Sequence, residues 1–285
     1  MAAREASQEE AAAAAGAAAQ LQLPQGFKDA WRRLVDPTIQ RSSRVTAWRL
    51  MHGTLGCGAF LTHVRSRGAR ALGASATVIG VAEVRARCKA PCCAPPPGAP
   101  IHSAPLETAS HALLTCPAAA PAIEWMRATW AALAGIDPGL VPSDAQVLLA
   151  DNFEGWEDAP VSKPAQSLWT RLRVATLGAI WQARCERDAD GLQPGATLAH
   201  RAASLALASV DGAIRRDWAR AVGVAPSNLP AFCAAWFRGI DLTISLEAFK
   251  ERWAEPGYFC EVHEEGGQPT LEILLGGPLC PPLPD

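Results

Sequence analysis

Five side chains in the middle of the chain have the types and spacing to hold a metal ion. Cys88, Cys92 and Cys93 lie in "RCKAPCC", and His111 and Cys116 lie in "LETASHALLTCP". Thiolates and imidazoles are the donors zinc prefers, and small structural modules supply four of them as two closely spaced pairs. The first pair is Cys88 with Cys92 or Cys93, the second His111 with Cys116. Spacing alone leaves the choice between the adjacent cysteines open.

The second pair carries a geometric condition. On an unbroken α-helix, at about 100° per residue, positions five apart end up roughly 140° apart around the axis and cannot share one ion. Pro117 follows Cys116, and a residue before proline is pushed out of the helical region. The sequence therefore predicts His111 in a helical turn and Cys116 at its broken end. Four protein ligands make a closed site with no open position for water, so the zinc is expected to be structural rather than catalytic. Glu107 is nearby and reads as a carboxylate supporting the site or a helix start.

No catalytic alternative competes. HExxH, the combined H-x-E and paired-cysteine signature of the zinc deaminases, GxSxG and a phosphate-cradling glycine loop are all missing from the sequence. Cys260 and His263 lie in a stretch with strand pattern, where residues three apart point to opposite faces, so they read as structural. His52, His63, His102 and His200 lack partners at ligand spacing, and Cys57, Cys185, Cys233 and Cys280 read as packed or incidental. A non-enzymatic protein is expected.

The charge distribution suggests a partner. Net charge is −2, yet the stretch from Lys28 to Lys89 holds twelve basic residues against three acidic ones. A concentrated positive field leading into a metal module suits a polyanion, RNA or DNA. Arg41, Arg44, Arg49, Arg65, Arg67, Arg85, Arg87 and Lys89 are the candidate contacts. Nine cysteines without an amino-terminal secretory pattern favour a reducing, intracellular setting, nuclear or cytoplasmic. No apolar run reaches the eighteen or so residues of a membrane span.

The elements that must position these residues are mostly helical. Residues 1–23 are an alanine-rich, low-complexity arm expected to be disordered. A basic helical region follows over 24–135, with the zinc module at 88–116. In it, Phe27, Trp31 and Leu34 mark one helix, and a second is expected to turn Val45, Trp48, Leu50 and Met51 inward before "MHGTLG". Thr108 is a plausible cap for a helix carrying Trp125, Met126, Trp130 and Leu133, with Gly135 as its stop.

A further helical region spans 160–225. Its first helix places Trp169, Leu172, Thr176, Leu177, Ile180 and Trp181 on one face, with Arg171, Arg173 and Arg184 outside or beside it. Its second ends at Gly223. Residues 226–285 are expected to form a helix, a hairpin from "YFCEVHE" through "EGGQ" to "TLEILL", and a proline-rich tail. The fold class is mostly α, a helical domain with a small zinc-knuckle-like loop and a carboxy-terminal β-hairpin.

Three segments in order carry a family resemblance: Trp48, Arg49, Leu50, His52 and Gly53; then Cys88 with Cys92 or Cys93; then Glu107, Thr108, His111, Cys116 and Pro117 ahead of a tryptophan helix. Together they resemble the zinc-binding region that follows the reverse transcriptase domain in non-LTR (LINE-type) retrotransposon polyproteins. "LRVATLGAIWQAR" is similar to the helix that trails that module, and the likeness covers roughly residues 27 to 190. The first cysteine pair is wider than the family's two-residue gap, and a proline-rich insert lengthens the loop between the pairs. No [FY]-x-D-D motif of a reverse transcriptase is present. The resemblance implies a non-catalytic zinc-binding piece, detached or domesticated from such an element, with RNA or DNA as its partner. A helical interaction or scaffold protein with merely buried cysteines, or a decayed element, is the rival expectation.

Overall fold

The computed structural model describes residues 39–71, 84, 86–134, 147–148, 163–190, 195–223, 244–254 and 259–275, with the side chains at 65–71, 132–134, 163–167, 188–190 and 195–197 left aside. The arm at 1–23, the helix expected at 27–34, the Leu133 side chain, Gly135, Arg85, Cys233, Cys280 and the proline-rich tail lie outside what is described.

The described chain is mostly helical, with one small hairpin. Its helices are α1 (Arg41–Met51), α2 (Gly58–Ala71), α3 (Ala120–Ala134), α4 (Lys163–Asp190), α5 (Gly195–Ala221) and a short α6 (Leu246–Phe249) that continues into a wide turn over Lys250–Ala254. β1 (Cys260–Glu265) and β2 (Gln268–Ile273) pair antiparallel, Glu265 opposite Gln268. Gly266 and Gly267 make the connection at φ 61° and 78°, the left-handed backbone that a two-residue hairpin turn demands. Among the described residues no helix is long and apolar enough to cross a membrane.

The centre is α4. It packs against α5, α1 and α3. Leu198 and Ala202 face Ile180 and Arg187 at one end, while Val210 and Ala213 face Arg171 and Ala175 at the other, so α4 and α5 run antiparallel. Trp130 and Trp169 meet in this core at 5.2 Å between ring centroids. The apolar positions named for α4 are buried apart from Trp181, which is half-buried.

Arg171 and Arg173, expected outside or beside the apolar face, are both buried. α4 is covered on every side from Leu168 to Ile180, so even its polar stripe needs partners. Arg173 Nη1 donates to the carbonyls of Val147 and Leu148 at 3.0 and 3.3 Å, and the Arg171 guanidinium lies 5.9 Å from the Trp253 ring centroid. Buried charge is tolerated when hydrogen-bonded in this way.

The rotation of α1 is also corrected. Leu50 and Met51 are buried with Ser43, Thr46 and Ala47, but Val45 and Trp48 are 41% and 38% exposed. At about 100° per residue Val45 and Trp48 fall on the side opposite Leu50, so the four cannot share a face. The contact surface decides which side turns in. A Cβ at Gly178 of α4 would sit 2.2 Å from Ser43 Oγ and 2.7 Å from Ser43 Cα, a helix approach that only small residues permit. α2 is an element the apolar pattern did not announce.

The carboxy-terminal segment is tied to α5 by Asp217, which is fully buried. Its carboxylate accepts from Arg220 at 2.8 Å, Arg252 at 2.8 Å and Trp253 Nε1 at 2.9 Å. Trp253 then packs edge-on to Phe259, 5.6 Å between centroids, at the root of the hairpin. A two-stranded hairpin is marginal alone and takes its stability from such packing.

Candidate metal centre

Four of the five proposed ligands converge. Cys88, Cys93, His111 and Cys116 each place one donor atom within 4.8 Å of all the others, and the three thiols are buried. Cys93 Sγ lies 3.5 Å from His111 Nε2 and 3.7 Å from Cys116 Sγ. A tetrahedral ion with Zn–S of about 2.3 Å and Zn–N of about 2.05 Å has S···S and S···N edges of about 3.8 and 3.6 Å. The two measured edges match those of a tetrahedral site, and the cluster can hold a metal ion.

Cys92 is not part of it. Pro91–Cys93 forms one tight turn, closed by Cys93 N–H to Ala90 O at 2.8 Å. At about three residues per turn, neighbours project roughly 120° apart. Cys93 therefore points inward and Cys92 is exposed. Both pairs then have four intervening residues. Cys88 is set by a short extended pairing of Arg87 with Leu106, its own N–H bonding to Pro105 O at 2.9 Å.

The second pair meets through two local devices. Cys116 is extended, at φ −68° and ψ 127°, as the proline after it requires. His111–Thr115 is a π-turn, closed by Cys116 N–H to His111 O at 2.8 Å. An i→i+5 bond completes about one turn in five residues, so His111 and Cys116 come to the same side. Thr108 caps this segment, its Oγ1 accepting from His111 N–H at 3.0 Å. His111 Nε2 faces the thiols while Nδ1 lies 3.3 Å from Thr115 Oγ1. That is the support a ligating imidazole uses to fix its tautomer.

The thiols differ in readiness to ionise. Hydrogen bonding from Cys116, with help from His111, brings Cys88 down to about 3. Burial pushes Cys93 up to about 12. Hydrogen bonding to Cys88, then burial, holds Cys116 above its ordinary value. The three thiols titrate as one coupled group, and a cation bound among them favours their deprotonated forms.

Glu107 is a helix-start carboxylate, but for α2 rather than for its own segment. Its Oε2 accepts from Gly58 N–H at 3.0 Å, and its carbonyl accepts from Ala59 N–H at 3.1 Å. It is 1% exposed and pairs with Arg184, whose Nε lies 2.8 Å from Oε1, and with Arg187 at 3.4 Å. One carboxylate therefore fastens the loop between the ligand pairs to α2 and α4. Nothing in the local sequence pairs it with residues 77 and 80 positions away.

The basic candidates scatter. Arg41, Arg49 and Lys89 are exposed, and Arg44 and Arg87 are half-buried. Arg87 Nη1 donates to Ala104 O at 3.0 Å, a loop-bracing role. Arg65 and Arg67 lie on α2, with side chains outside the described set. Of the remaining cysteines, Cys57 and Cys260 are buried, burial raising both thiols and Cys260 to about 12; Cys185 is exposed rather than packed. On the hairpin His263, expected to have only a structural part, lies 3.4 Å from Glu261 and 3.2 Å from Glu272, an exposed trio that can approach a cation.

No protein family, curated protein or solved structure matches the chain.

Proposed function

We propose that this chain is a non-catalytic nucleic-acid-binding module built around one structural zinc ion, of the kind that follows the reverse transcriptase domain in LINE-type retrotransposon polyproteins. The observation that carries the zinc is the pair of tetrahedral edges among Cys93, His111 and Cys116, with Cys88 completing the donor set. Three sulfurs and one imidazole nitrogen are a donor set typical of structural zinc, and four protein ligands leave no site for substrate or water. Nucleic-acid binding is supported by the basic surplus between residues 28 and 89, where Arg41, Arg49 and Lys89 are solvent-exposed. Such binding is dominated by phosphate contacts and weakens steeply with salt.

The test is metal content of the reduced, purified protein, followed by RNA and DNA affinity across a salt series. One zinc per chain is expected, replaceable by cobalt with the visible absorption of a tetrahedral thiolate site. Cys93→Ser and His111→Ala lose the metal, whereas Cys92→Ser keeps it. Metal-free protein from zinc-replete cells, or equal loss in Cys92→Ser, overturns the zinc assignment. Affinity that is absent or indifferent to salt overturns the nucleic-acid assignment.

A further inference from the structure

α1 keeps its largest apolar side chain out of the core. Arg41, Val45, Trp48 and His52 fall within about 60° of one another around the helix, with Arg49 just beside them, opposite the face that Ser43, Thr46, Ala47 and Leu50 bury against α4. The exposed side of this helix is therefore aromatic and basic, and α1 contains no acidic residue.

Trp48 is also held in place. The His52 ring stacks on the indole at 4.3 Å between centroids and 28° between planes. His52 Nδ1–H donates to the Trp48 carbonyl at 2.9 Å, which fixes the imidazole that does the stacking. An indole braced on one side by a ring and flanked by guanidiniums is pre-ordered for a second flat partner, and little side-chain freedom remains to be lost on binding.

We infer that this stripe is a stacking platform for a single strand of nucleic acid: a base lies on the Trp48 indole beside Val45, while Arg41 and Arg49, about 12 Å apart along the axis, meet the sugar-phosphate backbone. The inference rests on the nucleic-acid reading above and adds to it both a location and a preference for unpaired bases. Stacking needs a free base face, which a duplex does not offer, and the absence of acidic groups from α1 matches a polyanion rather than a basic peptide. The platform belongs to the same packed body as the metal centre, because Leu50 and Leu55 share a buried cluster with Cys88, Cys93 and Cys116.

The test uses the full zinc-loaded chain and fluorescence anisotropy with labelled oligouridylate, oligothymidylate and a blunt-ended duplex without a loop, each strand of about twelve nucleotides. Trp48→Ala is expected to weaken single-strand binding about 5- to 100-fold with little change in salt slope, and Trp48→Phe to keep most of the affinity. Arg49→Gln is expected to lower the salt slope by about one. Zinc content and helicity stay at wild-type values in all three, since these side chains lie on the exposed face. Single-strand binding by wild-type protein that is unchanged in Trp48→Ala ends the platform and leaves the nucleic-acid reading standing. Equal losses on single strand and duplex also end it, and wild-type protein that binds none of the three probes ends both.

Discussion

Replacing Glu107 by Gln separates a residue that braces the metal loop from one that holds the metal. The carboxylate is 1% exposed and accepts from three sources: Gly58 N–H, Arg184 and Arg187, whose side chains are 12% and 6% exposed. Glutamine keeps the shape, but one of its two ends becomes an amide NH₂, a donor only. With Oε1 toward the arginines, the NH₂ faces the Gly58 N–H; turned over, it faces the guanidiniums. Either orientation sets donor against donor and takes the countercharge from two nearly buried cations. Breaking a buried pair from one side costs about 3–5 kcal/mol. The lower end applies because the remaining amide oxygen still accepts from one side, so about 3 kcal/mol is expected. For a body of this size that lowers the thermal midpoint by roughly 6–12 °C. Circular dichroism melts and urea titration of the zinc-loaded protein measure it, with zinc content checked in parallel. The metal should stay stoichiometric, since Glu107 is not among the four donors. A loss below about 1 kcal/mol refutes the bracing role, and loss of zinc without loss of global stability shows that Glu107 acts on the ion instead.

Two other substitutions probe single contacts. Gly178→Ala places a methyl group against the Ser43 backbone, so α1 must lift from α4; a loss of about 1–3 kcal/mol or more is expected. Ser43→Gly relieves only part of it because the Cα remains in the way, and a double-mutant cycle in urea checks both. Thr115→Val removes the hydroxyl 3.3 Å from His111 Nδ1, and zinc affinity by competition with a chromophoric chelator should fall about 10-fold, the low end for a lost outer partner because the hydroxyl is exposed and neutral. An unchanged affinity would show that the imidazole is oriented by its helix alone.

What was legible in the sequence was whatever a local rule controls. The Thr108 cap, the break at Pro117 and the Gly266–Gly267 turn each follow from a residue and its immediate neighbours, and the structure has all three, although the cap serves only the segment up to Thr115 and the tryptophan helix expected to continue from it starts separately at Ala120. Cys92 against Cys93 was not legible, because the choice depends on the phase of the Pro91–Cys93 turn relative to the pairing of Arg87 with Leu106, a residue well beyond the turn in sequence. The burial of Arg171 and Arg173 follows from α4 lying at the centre of the body, which no property of its own sequence declares. α1 misled for a different reason. Its apolar residues form two opposed stripes, and small Ser43, rather than large Trp48, fits the face that Gly178 presents. α2 carries Gly58 at its first position and Gly68 inside it, a weak helical signal offset by the Glu107 carboxylate at its start.

The metal centre, as proposed, works as a bracket rather than as the core itself. Small zinc fingers have too little hydrophobic core to fold without the ion, so for them metal binding and folding are one event. Here the three thiols sit at the edge of a buried cluster that already contains Trp130, Trp169, Leu172 and Leu177, and a buried neutral cysteine packs as a small hydrophobe. What the ion adds is the joint position of two chain segments: the extended piece through Cys88 that pairs with Leu106, and the π-turn that begins at His111. Glu107 lies between those segments and reaches the start of α2 and the arginines of α4. A bound ion would therefore act on α2 and α4 at one remove, by fixing the loop whose carboxylate anchors them. α1 joins the same body through Leu50 and Leu55, while the direction in which it presents Trp48 is set by its packing on α4 at Ser43 and Gly178.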